Sequence, residues 1–112
     1  MRKAMNPQTR ELYEMKAQII QAVGQPIRLA ILDFLKDGEQ CVCDIAKAVG
    51  AERSNVSRHL TVLLNAGILE CRKDGLKMIY SLRTPCIMNF FSCVADVLKA
   101  QLAKNNQVLQ GL

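Results

Sequence analysis

The feature that most restricts the fold is a change in the spacing of apolar residues after Asn65. Before this point apolar side chains recur every three or four positions, as they do on one face of a helix. From Ile68 to Leu82 they alternate instead, and Asp74-Gly75 lies in the middle of this segment, where both positions tolerate the positive φ angles of a tight hairpin. The pattern predicts two strands, over about 68–72 and 76–82.

Helical spacing predicts four helices before this hairpin and one after it. Gly24-Gln25-Pro26 separates the first two, because glycine ends helices and proline begins them, and Gly50-Ala51 forms a tight turn between the third and fourth. The predicted helices cover about 7–23, 26–36, 42–49, 54–65 and 85–107. The order α-α-α-α-β-β-α is typical of a winged helix-turn-helix. We therefore expect one mainly α domain with a β-hairpin over 1–112, with its DNA-reading unit over about 40–83.

The fourth helix and the hairpin carry the side chains expected of a surface that contacts DNA. Short hydrogen-bonding groups and arginines cluster at the N-terminal end of the helix, where a recognition helix meets base edges, and the hairpin forms a basic wing. The predicted DNA-binding residues are Arg53, Ser54, Asn55, Ser57, Arg58 and His59 on the helix, and Arg72, Lys73 and Lys77 on the wing. For His59, the only histidine, a base contact, a metal ligand and a half-buried hydrogen-bonding role stay open. The net charge of +5 suits a polyanionic partner.

Three stretches of the chain carry a more specific signature. They are QCVCDIA (40–46), SNVSRHL (54–60) and LNAGIL (64–69). They resemble the ArsR/SmtB family of metal-sensing repressors, and the similarity covers about residues 20–108. The resemblance implies a homodimer, formed through the first and last helices (about 7–23 and 85–107), that binds a palindromic operator and leaves it when metal binds. The wide apolar stripes of these two helices also favour a two-fold interface.

The cysteines are the candidate ligands. The chain has five, an odd number without the dense framework of a secreted mini-protein, so free thiols are expected: Cys41, Cys43, Cys71, Cys86 and Cys93. Cys41 stands at the predicted N-cap of the third helix, where its sulfur would face unpaired backbone N–H groups, and Cys43 follows in the first turn. Outside regular helical geometry, two such sulfurs can converge on one ion. Thiolates without imidazole or carboxylate select soft ions.

The Cys-Val-Cys-Asp run resembles the branch of the family that responds to As(III) or Sb(III), with Cd(II) and Pb(II) as further candidates. In that motif Ala46 stands where a third cysteine can occur, the N-terminal arm has no cysteine, and the last helix lacks the ligand set of the zinc sensors. The predicted metal ligands are Cys41 and Cys43. The third ligand could be Cys86 or Cys93 of either protomer, an exogenous thiol, or absent. Cys86 and Cys93 are predicted to lie seven residues apart on one helical face, where dimer packing is an equally open role. Cys71 is expected to be a packing residue.

The same residues leave two other functions open. A thiol redox or persulfide sensor of the same fold is the main alternative, and a winged helix used only in protein contacts is another. The chain shows no phosphate loop, no Ser/His/Asp set and no recognisable pair of catalytic acids, so we expect no enzyme. It has neither an apolar run long enough to cross a bilayer nor the apolar core of a signal peptide, so we expect a cytoplasmic protein with no membrane partner.

Overall fold

A computed structural model describes residues 4–111, and within this range the chain forms five helices and three short strands. The elements are α1 (Pro7–Val23), α2 (Pro26–Leu35), β1 (Gln40–Cys41), α3 (Val42–Val49), α4 (Arg53–Asn65), β2 (Leu69–Asp74), β3 (Lys77–Leu82) and α5 (Ile87–Gln110). The predicted order of helices and hairpin is confirmed, with β1 as an additional strand. The first three residues and the last residue of the predicted domain lie outside the described residues.

The helix boundaries follow from local side-chain chemistry. Asn6 accepts a hydrogen bond from the backbone N–H of Thr9 at 2.8 Å, and Gln25 accepts one from the N–H of Arg28 at 3.0 Å. Each cap precedes a proline in the first turn, where the missing N–H costs no helical hydrogen bond. Gly50 ends α3 with a left-handed φ of 68°, which places α3 and α4 on the two sides of a tight turn.

The three strands form one antiparallel sheet in the order β1-β3-β2. Cys41 of β1 lies opposite Ile79, and Cys71 of β2 lies opposite Tyr80. The strand β1 was not predicted, because a strand of two residues shows no alternation. Through its pairing with β3, β1 connects the beginning of α3 directly to the hairpin.

The hairpin turn lies one residue later than predicted. Asp74 and Lys77 form the last pair of the ladder, so the turn consists of Gly75 and Leu76. Gly75 has a φ of 63°, whereas Asp74 keeps the negative φ of a strand residue. A positive φ at the first central position alone is the requirement of a type II′ turn, which glycine meets without steric cost.

The core lies between α2, α3 and α4. Side chains from all three helices lose their contact with water completely, namely those of Ile31, Leu32, Leu35, Ile45, Val56, Leu60 and Leu63. Burial of each such side chain contributes about 1.5–3 kcal/mol relative to exposure. Ile68, Leu69 and Tyr80 close the core from the sheet side. Helix α4 is therefore anchored in the core by its apolar face.

The outer helices α1 and α5 keep much of their apolar surface exposed. Leu12, Met15 and Ile19 on α1 were predicted to share one face, and they are 57, 54 and 44% exposed. The corresponding residues on α5 are also exposed, namely Phe90, Val94, Val97, Leu98 and Leu102. Helix α5 packs against the core only near its beginning, through Ile87, Met88 and Phe91. Within residues 4–111, then, the predicted stripes exist but remain uncovered.

The start of α5 corrects one prediction about the cysteines. The helix begins at Ile87, because the peptide groups from Thr84 onward first form a turn in which the carbonyl of Cys86 accepts from the N–H of Asn89 at 3.0 Å. Cys86 thus lies outside α5. The prediction that Cys86 and Cys93 share a face of one helix is wrong.

Candidate functional site

The polar side of α4 is presented to solvent by the burial of its opposite side. Val56, Leu60 and Leu63 anchor the helix in the core. The side chains predicted to contact DNA therefore emerge together, with Arg53, Ser54, Ser57 and Arg58 exposed and Asn55 and His59 half-buried. Arg58 donates to Asn55 Oδ1 at 2.9 Å, so these two side chains are already oriented by each other.

His59 has a partner that sequence analysis did not find. Arg28, on the first turn of α2, donates from Nε to His59 Nδ1 at 3.0 Å and from Nη1 to the carbonyl of Ala22 at 3.2 Å. The arginine thereby connects the end of α1, the beginning of α2 and the middle of α4. Arg28 and His59 are 31 positions apart in the chain, and no local pattern indicates such a contact.

This contact fixes the chemical form of His59. Because Nδ1 accepts a hydrogen bond, the imidazole is neutral and carries its proton on Nε2. Burial, and then the positive charges of Arg28 and Arg58, lower the pKa of His59 from its ordinary value of 6.5. Of the three roles left open for His59, the structure places it in a half-buried hydrogen-bonding position.

The wing contains two exposed lysines and one arginine that is held by acidic neighbours. Lys73 and Lys77 flank the hairpin turn and point into solvent. Arg72 instead forms an ion pair with Glu39, in which Nε donates to Oε2 at 3.2 Å, and it lies 3.9 Å from Asp74. The hydrogen bond from Arg72 lowers the pKa of Glu39. The wing thus presents two exposed lysines close to its tip, of which Lys77 lies opposite Asp74 in the ladder.

Cys41 and Cys43 line the same small cavity, of about 100 Å³. Its other walls come from the first residue of α4 and from the hairpin, through Arg53, Leu76, Lys77 and Met78. Cys41 is buried and Cys43 is exposed, so the cavity has one sheltered and one accessible thiol. Both thiols therefore border one cavity, and their joint binding of an ion stays a prediction.

The expected capping interaction of Cys41 is absent from α3. Cys41 does occupy the N-cap position, with φ −83° and ψ 161°, but its side chain makes no capping hydrogen bond. The physical reason is that Cys41 is also a strand residue, paired with Ile79, so the sheet determines where its side chain points. The predicted contact between this sulfur and the free N–H groups of α3 is therefore not formed.

The remaining cysteines lie away from this cavity. Cys71 is half-buried opposite Tyr80, and burial followed by the Cys71 charge raises the pKa of Tyr80. Cys86 and Cys93 are exposed and do not line the cavity. Across residues 4–111 no cluster of three or more His, Cys, Asp or Glu side chains is arranged to hold a metal ion. One chain therefore supplies two sulfurs at this place, and not three.

Comparison with known proteins identifies the family. Residues 25–70 match the model of the bacterial regulatory proteins of the arsR family. The uncharacterized HTH-type transcriptional regulator Rv0081 of Mycobacterium tuberculosis H37Rv is 35% identical over 102 residues, which cover 90% of each chain. This chain belongs to the arsR family. It is a transcriptional regulator and not an enzyme, and the family resemblance seen in the sequence is confirmed.

Solved structures of arsR-type regulators agree with the fold. The crystal structure of Rv0081 superposes with a TM-score of 0.75, at 33% identity, over 90% of this chain and 98% of that one. The homodimeric winged helix-turn-helix DNA-binding domain Mb0332 of Mycobacterium bovis superposes at 0.75, with 28% identity and coverage of 90% and 94%. A possible transcriptional regulator for arsenical resistance superposes at 0.60, with 32% identity and coverage of 78% and 95%. The winged helix-turn-helix prediction is thus confirmed.

Over the described range, no helix combines sufficient length with sufficient apolar character to cross a bilayer.

Proposed function

We propose that this protein is a repressor that binds operator DNA as a homodimer and leaves it when a soft ion, As(III) or Sb(III) in the first instance, binds Cys41 and Cys43. The observation that carries the proposal is the cavity shared by these two thiols. It contains no imidazole or carboxylate among its lining residues, so its donors are soft. Similarity to the arsenical-resistance regulator supports arsenic as the first ion to test.

The position of the cavity supports a coupling between ion and DNA. Its walls belong to three elements at once: the start of α3, the first residue of α4 and the wing. Because Cys41 is paired with Ile79, a movement of its backbone is transmitted to β3 as well as to α3. An ion that draws the two sulfurs together therefore acts on the elements expected to contact DNA.

The binding chemistry requires no change of oxidation state. Each As–S bond forms when a thiol sulfur displaces one hydroxyl group of arsenous acid, and the thiol proton leaves with that hydroxyl as water. Two such steps use Cys41 and Cys43, and we propose that a small-molecule thiol completes the third position. Within one chain Cys86 and Cys93 do not reach this cavity, so we assign them no part in the site.

The exposed faces of α1 and α5 support the homodimer. Exposed apolar patches of this extent on a small domain mark interaction surfaces. The Mycobacterium bovis relative is homodimeric, and a two-fold arrangement would cover the same faces in both copies. A dimer of this kind would present two α4 helices to two half-sites of a palindrome.

X-ray absorption on the arsenite-loaded, fully reduced protein tests the ligand set directly. We expect two arsenic–sulfur bonds without added thiol and three after a small thiol is added. The variant C86S/C93S should give the same counts, whereas C41S/C43S should bind no arsenic. If the sulfur count falls in C86S/C93S, the proposed site is wrong. If only an oxidant releases DNA, the redox alternative replaces it.

A further inference from the structure

A second polar cluster lies beside α4 and shares no residue with the thiol cavity. Arg28, Asn55, Arg58 and His59, together with Val62, line a cavity of about 220 Å³ between α2 and α4. We name this cluster the guanidinium corner. Two arginines open onto one small space there, and they come from different helices.

The positive charge of the corner is not compensated within the described part of the chain. Arg28 donates to a neutral imidazole and to a carbonyl, and Arg58 donates to a neutral amide. Neither arginine belongs to any of the ion pairs formed among residues 4–111. Both arginines, after burial, contribute to the lowered pKa of His59, which is the response expected to an excess of positive charge.

The corner differs in this respect from the arginine on the wing. Arg72 is paired with Glu39 and lies near Asp74, so its charge is shielded. Arg28 is more buried than Arg72 and yet has no carboxylate within salt-bridge distance among the described residues. An arginine has five N–H donors, and Arg28 uses only some of them in its two hydrogen bonds. The remaining donors are available to an anion.

We propose that the guanidinium corner binds a phosphate group, and that this phosphate belongs to the DNA backbone beside the bases that α4 contacts. Guanidinium groups match phosphate oxygens in a bidentate geometry, which favours phosphate over other anions. Asn55, Arg58 and His59 belong both to the corner and to the predicted DNA-binding face, so a phosphate in the corner lies at the edge of that face. Arg28 is then a DNA-binding residue outside both the recognition helix and the wing. The inference rests on the proposed DNA binding.

The salt dependence of binding to a random-sequence duplex tests the proposal, because phosphate contacts do not depend on base sequence. Each neutralised phosphate contributes about 0.9 to the slope of log K against log salt. We expect Arg28→Gln to reduce the slope by about 0.9 for each protomer engaged. Between 50 and 200 mM salt, the loss of affinity of this variant should then be about 3.5-fold smaller per protomer than the loss in the wild-type protein. Arg28→Lys, which keeps the charge, should retain the wild-type slope.

Two further variants make the result decisive. Arg83→Gln removes an arginine of equal charge that lies after β3 and near Glu70, and it should leave the slope unchanged. Arg58→Gln, at an exposed position, should reduce the slope as Arg28→Gln does, and it keeps the test valid if Arg28→Gln does not fold. If the folded variants at positions 28 and 58 both keep the wild-type slope, the inference is overturned. If the wild-type protein fails to bind duplex even at low salt, the proposed DNA binding itself fails, and the inference with it.

His59 offers a second measurement that distinguishes DNA phosphate from a free anion. As the only histidine, it gives imidazole proton signals that need no assignment. Addition of a short duplex should raise the pKa of His59, since a bound phosphate offsets the nearby arginines, and inorganic phosphate should do so only at much higher concentration. In Arg28→Gln both responses should be weaker. If inorganic phosphate raises the pKa while the duplex does not, the corner is a site for a free anion and the proposal is wrong.

Discussion

The helix-turn-helix unit and the two outer helices differ in how each one treats its apolar surface. In the unit, Val56, Leu60 and Leu63 of α4 are completely buried by neighbours from the same chain. On α5, Val97 and Leu98 are 60 and 53% exposed within the described chain. Equal apolar spacing thus produces a buried core on α4 and an exposed apolar face on α5. The comparison indicates that α4 is positioned by contacts within one chain, whereas the exposed apolar face of α5 is the surface that the proposed homodimer would cover.

The largest expected effect is on the free energy of unfolding and comes from the buried core that anchors α4. Leu60→Ala removes a fully buried side chain from α4 and should lower the free energy of unfolding by about 2–5 kcal/mol, because a cavity remains. Urea unfolding measures this loss, with Thr61→Ala, an exposed neighbour, as the control. A loss below about 1 kcal/mol for Leu60→Ala would show that α4 is not anchored as described.

The next effect is on the oligomeric state and concerns the exposed apolar face of α5. Val97→Asp should convert a dimer to a monomer at micromolar concentration while helical content is largely kept, because the charge interrupts an apolar interface without entering the core. Sedimentation velocity reports the mass, and Lys99→Asp, on the adjacent polar side of α5, should remain a dimer. A wild-type protein that sediments as a monomer would remove the distinction between the two regions.

A smaller effect is expected from pH, through the contact between α2 and α4. The pKa of His59 is lowered in the folded state. As the pH falls below 6.5, the unfolded protein therefore takes up a proton on this histidine before the folded protein does. The free energy of unfolding should therefore decrease from above pH 6.5 down through the folded-state pKa. The contribution of Glu39, whose ordinary pKa is 4.5, is lost only at lower pH. Urea midpoints at pH 7.5 and 5.5 should differ more in the wild-type protein than in His59→Gln. An equal difference in both proteins would contradict this account.

The sequence predicts the regular elements well because their signals are local. Gly24-Gln25-Pro26 and the apolar spacing place the bounds of α1 and α3, and the change to alternation places the hairpin. The strand β1 has only two residues and is defined by its pairing with β3, so no local signal announces it. The turn at Gly75 is shifted by one residue because the ladder extends to Asp74.

The candidate sites show the same limit more clearly. That Cys41 and Cys43 border one cavity is foreseeable from the sequence, because the two residues lie only two positions apart in the chain. Arg28 is not, because its link to His59 depends on how α2 packs against α4. The missing cap at Cys41 likewise depends on a strand that the sequence does not reveal. Tertiary contacts decide what each residue can do. A short motif indicates only contacts between residues that are close in the chain.

The central claim is that two thiols at the beginning of α3 couple an ion to DNA release. The most direct test is an anaerobic arsenite titration of reduced protein bound to a duplex selected from a random pool, followed by fluorescence anisotropy. The account predicts that arsenite weakens binding by about 100-fold, or about 2.7 kcal/mol of coupling, in the wild-type protein and in C86S/C93S. It predicts no release from C41S/C43S. Release of DNA from C41S/C43S at the same arsenite concentration as from wild type would contradict the account.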